Sequence, residues 1–105
     1  MEASGFTFIV HMDLTAAATE MGVDNAVGAL RDRAGQILAQ LRGTLLTFYV
    51  TTGSSDLVAT IEVPSPEDSV SFAANMAESG LVTTTTMAAY PTEPVILAIQ
   101  RGHVK

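Results

Sequence analysis

The residues of this 105-residue chain best suited to proton chemistry are two histidines, His11 and His103, and a thin scatter of carboxylates. An imidazole exchanges its proton near neutral pH, so a histidine held on a half-covered surface can act as a general acid or base. His11 lies near the end of the run Phe6 to Met12, and Asp13 shares its alternation phase. Tyr49 belongs to a second β-rich run that can approach from a neighbouring strand. His11, Asp13 and Tyr49 are therefore the candidate catalytic group. The competing reading of His11 is a hydrogen-bonded interface histidine. Thr47, Asp56, Glu62 and Thr85 are the candidate ligand-binding residues. Asp56 follows a Gly-Ser-Ser turn, where an aspartate commonly holds its own backbone in shape. Glu62 is either a buried acid or a solvated group at a strand end.

Other chemistries are poorly supplied. The chain has no cysteine, which removes thiolate nucleophiles, disulfides and thiolate metal ligands. Only the two histidines offer nitrogen ligands, without a paired spacing or a carboxylate cluster beside them, so no metal is expected. Nothing beyond His11 recommends haem, and no phosphate-binding glycine loop, nucleophile elbow or dinucleotide fingerprint occurs, so no cofactor is expected. Eleven acidic against five basic residues give a formal charge of −6, and the basic residues form no long run. Binding to nucleic acid through phosphate neutralisation is not expected. No apolar run reaches the roughly 18 residues that a membrane span requires, and no basic leader precedes the first apolar stretch. The expectation is a soluble cytoplasmic protein.

The elements that must position these groups follow from periodicity. Phe6 to Met12 reads as a strand with Phe6, Phe8, Val10 and Met12 on one face. Asp13 to Asp24, alanine-rich and broken by Gly22, fits a loop, a short helix or both. From Asn25, the spacing of Val27, Leu30, Ala34, Ile37, Leu38 and Leu41 predicts an amphipathic helix, capped by Asp24 or Asn25 and ended by Gly43. Gly28 and Gly35 share a face of that helix, and close approach to a sheet or partner is the expected reason for two glycines in a helix interior. Leu45 to Thr52 and Leu57 to Val63 predict a β-hairpin around Gly53-Ser54-Ser55-Asp56. Ser65, Pro66, Glu67 and Asp68 form a helix opening, with Ser65 as its cap. That helix presents Val70, Phe72, Ala73, Met76 and Ala77 to the core and ends at Gly80. Leu81 to Tyr90, with four successive threonines, predicts a fourth strand. After Pro91 and Pro94, residues 95–99 read as a short fifth strand suited to pairing across a subunit boundary.

The order β-α-β-β-α-β is the split βαβ pattern, an α+β ferredoxin-like sandwich with both helices on one face of an antiparallel sheet. Residues 1–105 are read as one such domain. Alternation turns Phe8, Val10, Phe48, Val50, Ala59, Ile61 and Val82 to the helices. It sends Thr7, Ile9, His11, Thr47, Tyr49, Thr51, Val58, Thr60, Glu62, Thr83 and Thr85 to the other face. Hydroxyls and a histidine would be odd in a dry core, while so many β-branched and aromatic groups are ill-suited to open water. With 48% hydrophobic and only 15% charged residues, the chain also has little polar surface for a free monomer. A homodimer packed face to face around a partly wet cavity satisfies both constraints.

From the second strand onward the sequence resembles the GYD domain family, of the dimeric α/β-barrel group. The matches are Phe48, Tyr49, Thr51, Gly53, Asp56, Glu62, Pro64, Gly80, Val82, Thr84, Thr85 and Thr86, in spacing that agrees without gaps. The chain departs from the family pattern at Ser55, where the tyrosine of Gly-x-Tyr-Asp is expected, and at Thr83, where an arginine is expected. The resemblance implies a ferredoxin-like homodimer. The wider group includes cofactor-independent monooxygenases, isomerases and cyclases, haem proteins and non-enzymatic relatives. Two functional expectations follow. The first is a dimer that binds a small organic molecule at the open face, with cofactor-independent acid-base chemistry at His11. The second is a non-enzymatic assembly or accessory module whose open face is filled by its partner.

Overall fold

In the computed structural model, which describes residues 5–104, the four β-rich runs pair into one antiparallel sheet. They are β1 (Phe6–Leu14), β2 (Thr44–Val50), β3 (Leu57–Val63) and β4 (Val82–Ala89), in spatial order β2-β3-β1-β4. The helices are α1 (Ala16–Met21), α2 (Val23–Leu41), α3 (Glu67–Ala77) and α4 (Thr92–Arg101). Residues 1–4 and Lys105, the outer ends of the leader and tail segments read above, lie outside the described residues.

The core lies between the sheet and the pair α2 and α3. From the sheet, Phe8, Val10, Met12, Leu57, Ala59, Ile61, Val63 and Val82 enter it. From the helices come Leu30, Ala34, Leu38, Phe72 and Met76. Three- and four-residue spacings on α2 set Leu30, Ala34 and Leu38 on one line, and Val27, Ile37 and Leu41 flank them half-buried, as the periodicity requires. Arg33 Nε donates to the carbonyl of Asn75 at 2.9 Å, which ties α2 to α3. Strand phase also follows alternation. Val50 has the helix-side phase opposite Leu57, yet it is 67% exposed because it lies at the end of an edge strand.

Several local expectations are corrected. The Asp13 to Asp24 stretch contains the expected short helix, α1, capped by the Thr15 hydroxyl, which accepts from the Ala18 N–H, but its first residues continue β1 to Leu14. α2 starts at Val23 behind Gly22, whose positive φ of 101° provides the turn between helices, and Asp24 sits in its first turn instead of capping it. Arg42 takes the left-handed position at the end of α2. Gly43 serves a different need there, since a Cβ would lie 2.7 Å from the Glu62 carbonyl oxygen on β3. Gly28 and Gly35 have open space where their side chains would be, so neither is a site of close approach within the chain. Ser65 does not cap α3 with its oxygen. Its hydroxyl and N–H both donate to the Asp68 carboxylate, at 3.0 and 3.2 Å.

On α3, Ser69 and not Val70 faces the core. The positions that share a line with Phe72 and Met76 include 69, and Val70, turned away by the helix period, is 69% exposed. The Ser69 hydroxyl is satisfied by donating to the Pro66 carbonyl at 2.7 Å. In β2 a register irregularity between Leu45 and Thr47 leaves Leu46 as an extra residue, 48% exposed, and restores the phase for Phe48 and Tyr49.

The expected fifth strand is a helix. Residues 95–99 are inside α4, which opens with Thr92, Glu93 and Pro94. Proline is tolerated in a first helical turn because its missing N–H would have no intrahelical acceptor there. A contiguous apolar run is ambiguous between strand and helix, and here Val95, Ala98 and Ile99 obey the helical spacing. α4 buries none of its residues.

Candidate functional site

The uncovered face of the sheet is laid out by strand register. One row across it reads Tyr49, Val58, His11, Thr85 from β2 to β4. The next reads Thr47, Thr60, Ile9, Met87, and the one beyond it Thr44, Glu62, Thr7, Ala89. His11, Ile9, Thr7, Val58, Thr60 and Glu62 are half-buried, while Thr83, Thr85 and Met87 are exposed and Tyr49 is 62% exposed. Hydroxyls, one imidazole and one carboxylate are thus set among branched apolar side chains.

At one end of this face the turn after β2 is fastened to β1. The Asp56 N–H donates to the Met12 carbonyl at 3.1 Å, and Asp56 Oδ2 accepts from the Leu14 N–H at 2.8 Å. The Thr51 N–H donates to the Asp56 carbonyl at 2.9 Å, and the Thr51 hydroxyl donates to the Ser55 carbonyl. Ser55, so positioned, shares a 2.8 Å hydrogen bond between its Oγ and His11 Nδ1. When Ser55 donates, Nδ1 is the acceptor and Nε2 carries the ring proton. His11 and Ser55 are 44 residues apart, and periodicity holds no signal for their meeting. The only sequence cue is that Ser55 departs from the family pattern.

The register distributes the expected site residues unevenly. Thr85 is directly beside His11 on β4. Tyr49 lies in the same row but two strands away, with Val58 between, at roughly 10 Å by the usual strand spacing. Asp13 is two residues along β1 from His11, opposite Thr83, and exposed. Thr47 is one row from His11. Glu62 is two rows away, roughly 13 Å by the rise of a strand. Asp56 is committed to backbone partners at the edge of the face.

Around the opposite end of the sheet, a cavity of about 660 Å³ is lined by Phe6, Phe8 and Ala88 of the helix-side phase and by Tyr90, Pro66 and Pro91, with Gly5 and the open-face Thr7, Ala89 and Glu62 completing it. Glu62 belongs to this cavity and His11 does not. Among the described residues no group of three or more His, Cys, Asp or Glu side chains could hold a metal, and no helix is long and apolar enough to cross a membrane.

Topology and face together define the class: an α+β ferredoxin-like domain with two helices on one side of the sheet and an uncovered, semi-polar surface on the other. The chain belongs to the GYD domain family, whose model matches residues 8–99. It is similar in structure to MtbAldR, at 18% identity and a TM-score of 0.59, covering 87% of this chain and 57% of that one. It is also similar to the leucine response regulatory protein LrpA of Mycobacterium tuberculosis, at 14% identity and a TM-score of 0.54, covering 84% and 52%. A third similar structure is TTHA0845 from Thermus thermophilus, at 25% identity and a TM-score of 0.55, covering 85% and 98%. The chain thus spans little more than half the length of the first two. No protein of curated function matches the sequence.

Proposed function

We propose that this chain is a single GYD domain that forms a homodimer through its open sheet face and binds a small organic molecule there, in the cytoplasm. The supporting observation is the row Tyr49, Val58, His11, Thr85, which sets an imidazole and two hydroxyls on a surface that also exposes Tyr49 and Met87. Closing a second copy over that row would remove the apolar groups from water and leave the polar ones lining the space between subunits. His11, oriented through Nδ1 by Ser55, would keep Nε2 for proton transfer to or from the bound molecule. Tyr49 and Asp13 would complete the acid-base group across the closed space, and Thr47, Thr85, Glu62 and Asp56 would line its floor and ends. The chemistry is of the cofactor-independent isomerase, cyclase or monooxygenase type. The similarity to LrpA makes leucine and related amino acids the first compounds to screen.

A second reading, a non-enzymatic assembly module, is favoured by one fact: the cavity at the sheet end includes Glu62 but not His11. Ligand-observed NMR screening of the wild type and of His11→Gln separates the two. The binding reading expects a ligand whose signals respond to the wild type, with affinity lowered at least tenfold in the variant. A ligand held equally by both would remove His11 from the site, and a blank screen would favour the assembly module.

A further inference from the structure

α4 is an amphipathic helix that no described element covers closely enough to bury any of its residues. Val95, Ile96, Leu97 and Ile99 are between 38% and 56% exposed, and none of its ten residues is buried. Isolated helices shorter than about 12 residues are marginal in water, so a helix of this length needs cover. The Cα radius of gyration is 15.8 Å, against about 13 Å for a compact domain of this size, and the longest axis is 57 Å.

The groove that would receive such a helix is next to it. The 660 Å³ cavity ends at Tyr90 and Pro91, the same two residues at which a second hollow of about 580 Å³ begins along Pro94, Val95, Ala98 and Ile99 of α4. The link from β4 to α4 is only those two residues, and Pro91 is extended at φ −58° and ψ 146°, so α4 leaves the body instead of folding over its own groove. Among the described residues, each copy therefore offers one apolar helix without a buried residue and one apolar groove, joined at a short hinge. That is the geometry of a reciprocal exchange about a two-fold axis.

We infer that α4 of each subunit seats in the Phe6, Phe8, Ala88 and Tyr90 groove of a second copy of this chain. This rests on the homodimer proposed above and deepens it: Phe6, Phe8 and Ala88 have the helix-side phase, so this contact adds to the open-face contact instead of forming part of it. Charge sets the direction: α4 carries Glu93 in its first turn and Arg101 in its last, so its Arg101 end would lie toward Glu62 on the groove and Glu67, which directly follows Pro66 at its rim. Area agrees. Four strands of about seven residues give the open face a footprint of roughly 440 Å² per subunit, so about 900 Å² for the pair. Stable interfaces bury about 1,200–2,000 Å² in total. A helix of this length has a footprint of roughly 150 Å², and two helices in two grooves add about 600 Å², which brings the total into that range.

The test uses the absence of native cysteine. Gln100→Cys protein, isotopically labelled, is mixed with unlabelled Glu67→Cys protein and treated with a short bis-maleimide linker. Both positions border the contact and leave its apolar groups intact. The expected product is a linked pair of one heavy and one light chain. In parallel, Val95→Asp with Ile99→Asp in one chain should raise the dimer dissociation constant at least tenfold. A dimer by native mass that gives no heavy-light product, or whose dissociation constant is unmoved by the double substitution, overturns the exchange and leaves the open-face dimer standing. A wild type that is monomeric by native mass overturns both.

Discussion

The two faces of the sheet are built from the same four strands and alternate residues of the same segments, yet they differ in how complete they are. On the helix side, Phe8, Val10, Met12, Ala59 and Ile61 meet α2 and α3 in a buried core. On the other side, the intervening Thr7, Ile9, His11, Val58, Thr60 and Glu62 are only half-buried, and Tyr49 and Met87 are exposed. The first face is finished within one chain, and the second is not. Stability should therefore reside on the covered face and association on the open one, so substitutions on the two faces should separate cleanly in two measurements.

The largest effect belongs to the covered face. Phe72→Ala removes a fully buried aromatic ring and should cost about 3–5 kcal/mol in urea denaturation, whereas Val70→Ala, two residues away on the solvent side, should stay within about 0.5 kcal/mol. Equal costs would mean that the face of α3 is misassigned. Next is the junction where α2 turns back to the sheet. Gly43→Ala brings a methyl against the Glu62 carbonyl and should cost about 1–3 kcal/mol, while Gly28→Ala, with open space around it, should gain about 1 kcal/mol. A loss at Gly28 that scales with protein concentration would place that helix surface in a subunit contact.

A smaller gain should come from Thr86→Val. The Thr86 Oγ1 is buried without a hydrogen-bond partner among the described residues, and replacing its hydroxyl with a methyl group of similar size should stabilise by about 1 kcal/mol. If thermal unfolding shows a loss instead, that hydroxyl has a partner beyond the described residues of one chain. The smallest effect on monomer stability, within about 0.5 kcal/mol, is expected for Tyr49→Ala on the open face. The same variant should weaken the dimer in sedimentation experiments, and an unchanged dimer would move the interface elsewhere.

The covered face was readable in the sequence because its signals are local. Alternation in Phe6 to Met12 and Leu57 to Val63, and the stripe from Val27 to Leu41, each fit within one element, and burial follows them except at Phe6, which is exposed at the strand end. Failures occurred where local pattern is ambiguous or where the deciding neighbour is distant. Val95 to Ile99 is a contiguous apolar run, equally acceptable as strand or helix, and with Pro94 in a first turn it becomes α4. Val70 and Ser69 are adjacent, and hydrophobicity favoured Val70, but the helix period places Ser69 on the line of Phe72 while a local carbonyl satisfies its hydroxyl. The Leu46 irregularity depends on pairing with β3. For the candidate site, membership of one face was legible for His11, Tyr49, Thr47, Glu62 and Thr85. Their spacing along that face, and the Ser55 bond to His11, depend on strand order and on a turn contact that no periodicity encodes.

The measurement that bears most directly on the central claim is native mass spectrometry of the purified wild-type protein, since one spectrum reports both subunit number and retained small molecules. The account predicts a dimer, with added mass of an organic compound on a fraction of it that falls in His11→Gln. A monomer under conditions that preserve known dimers would contradict it.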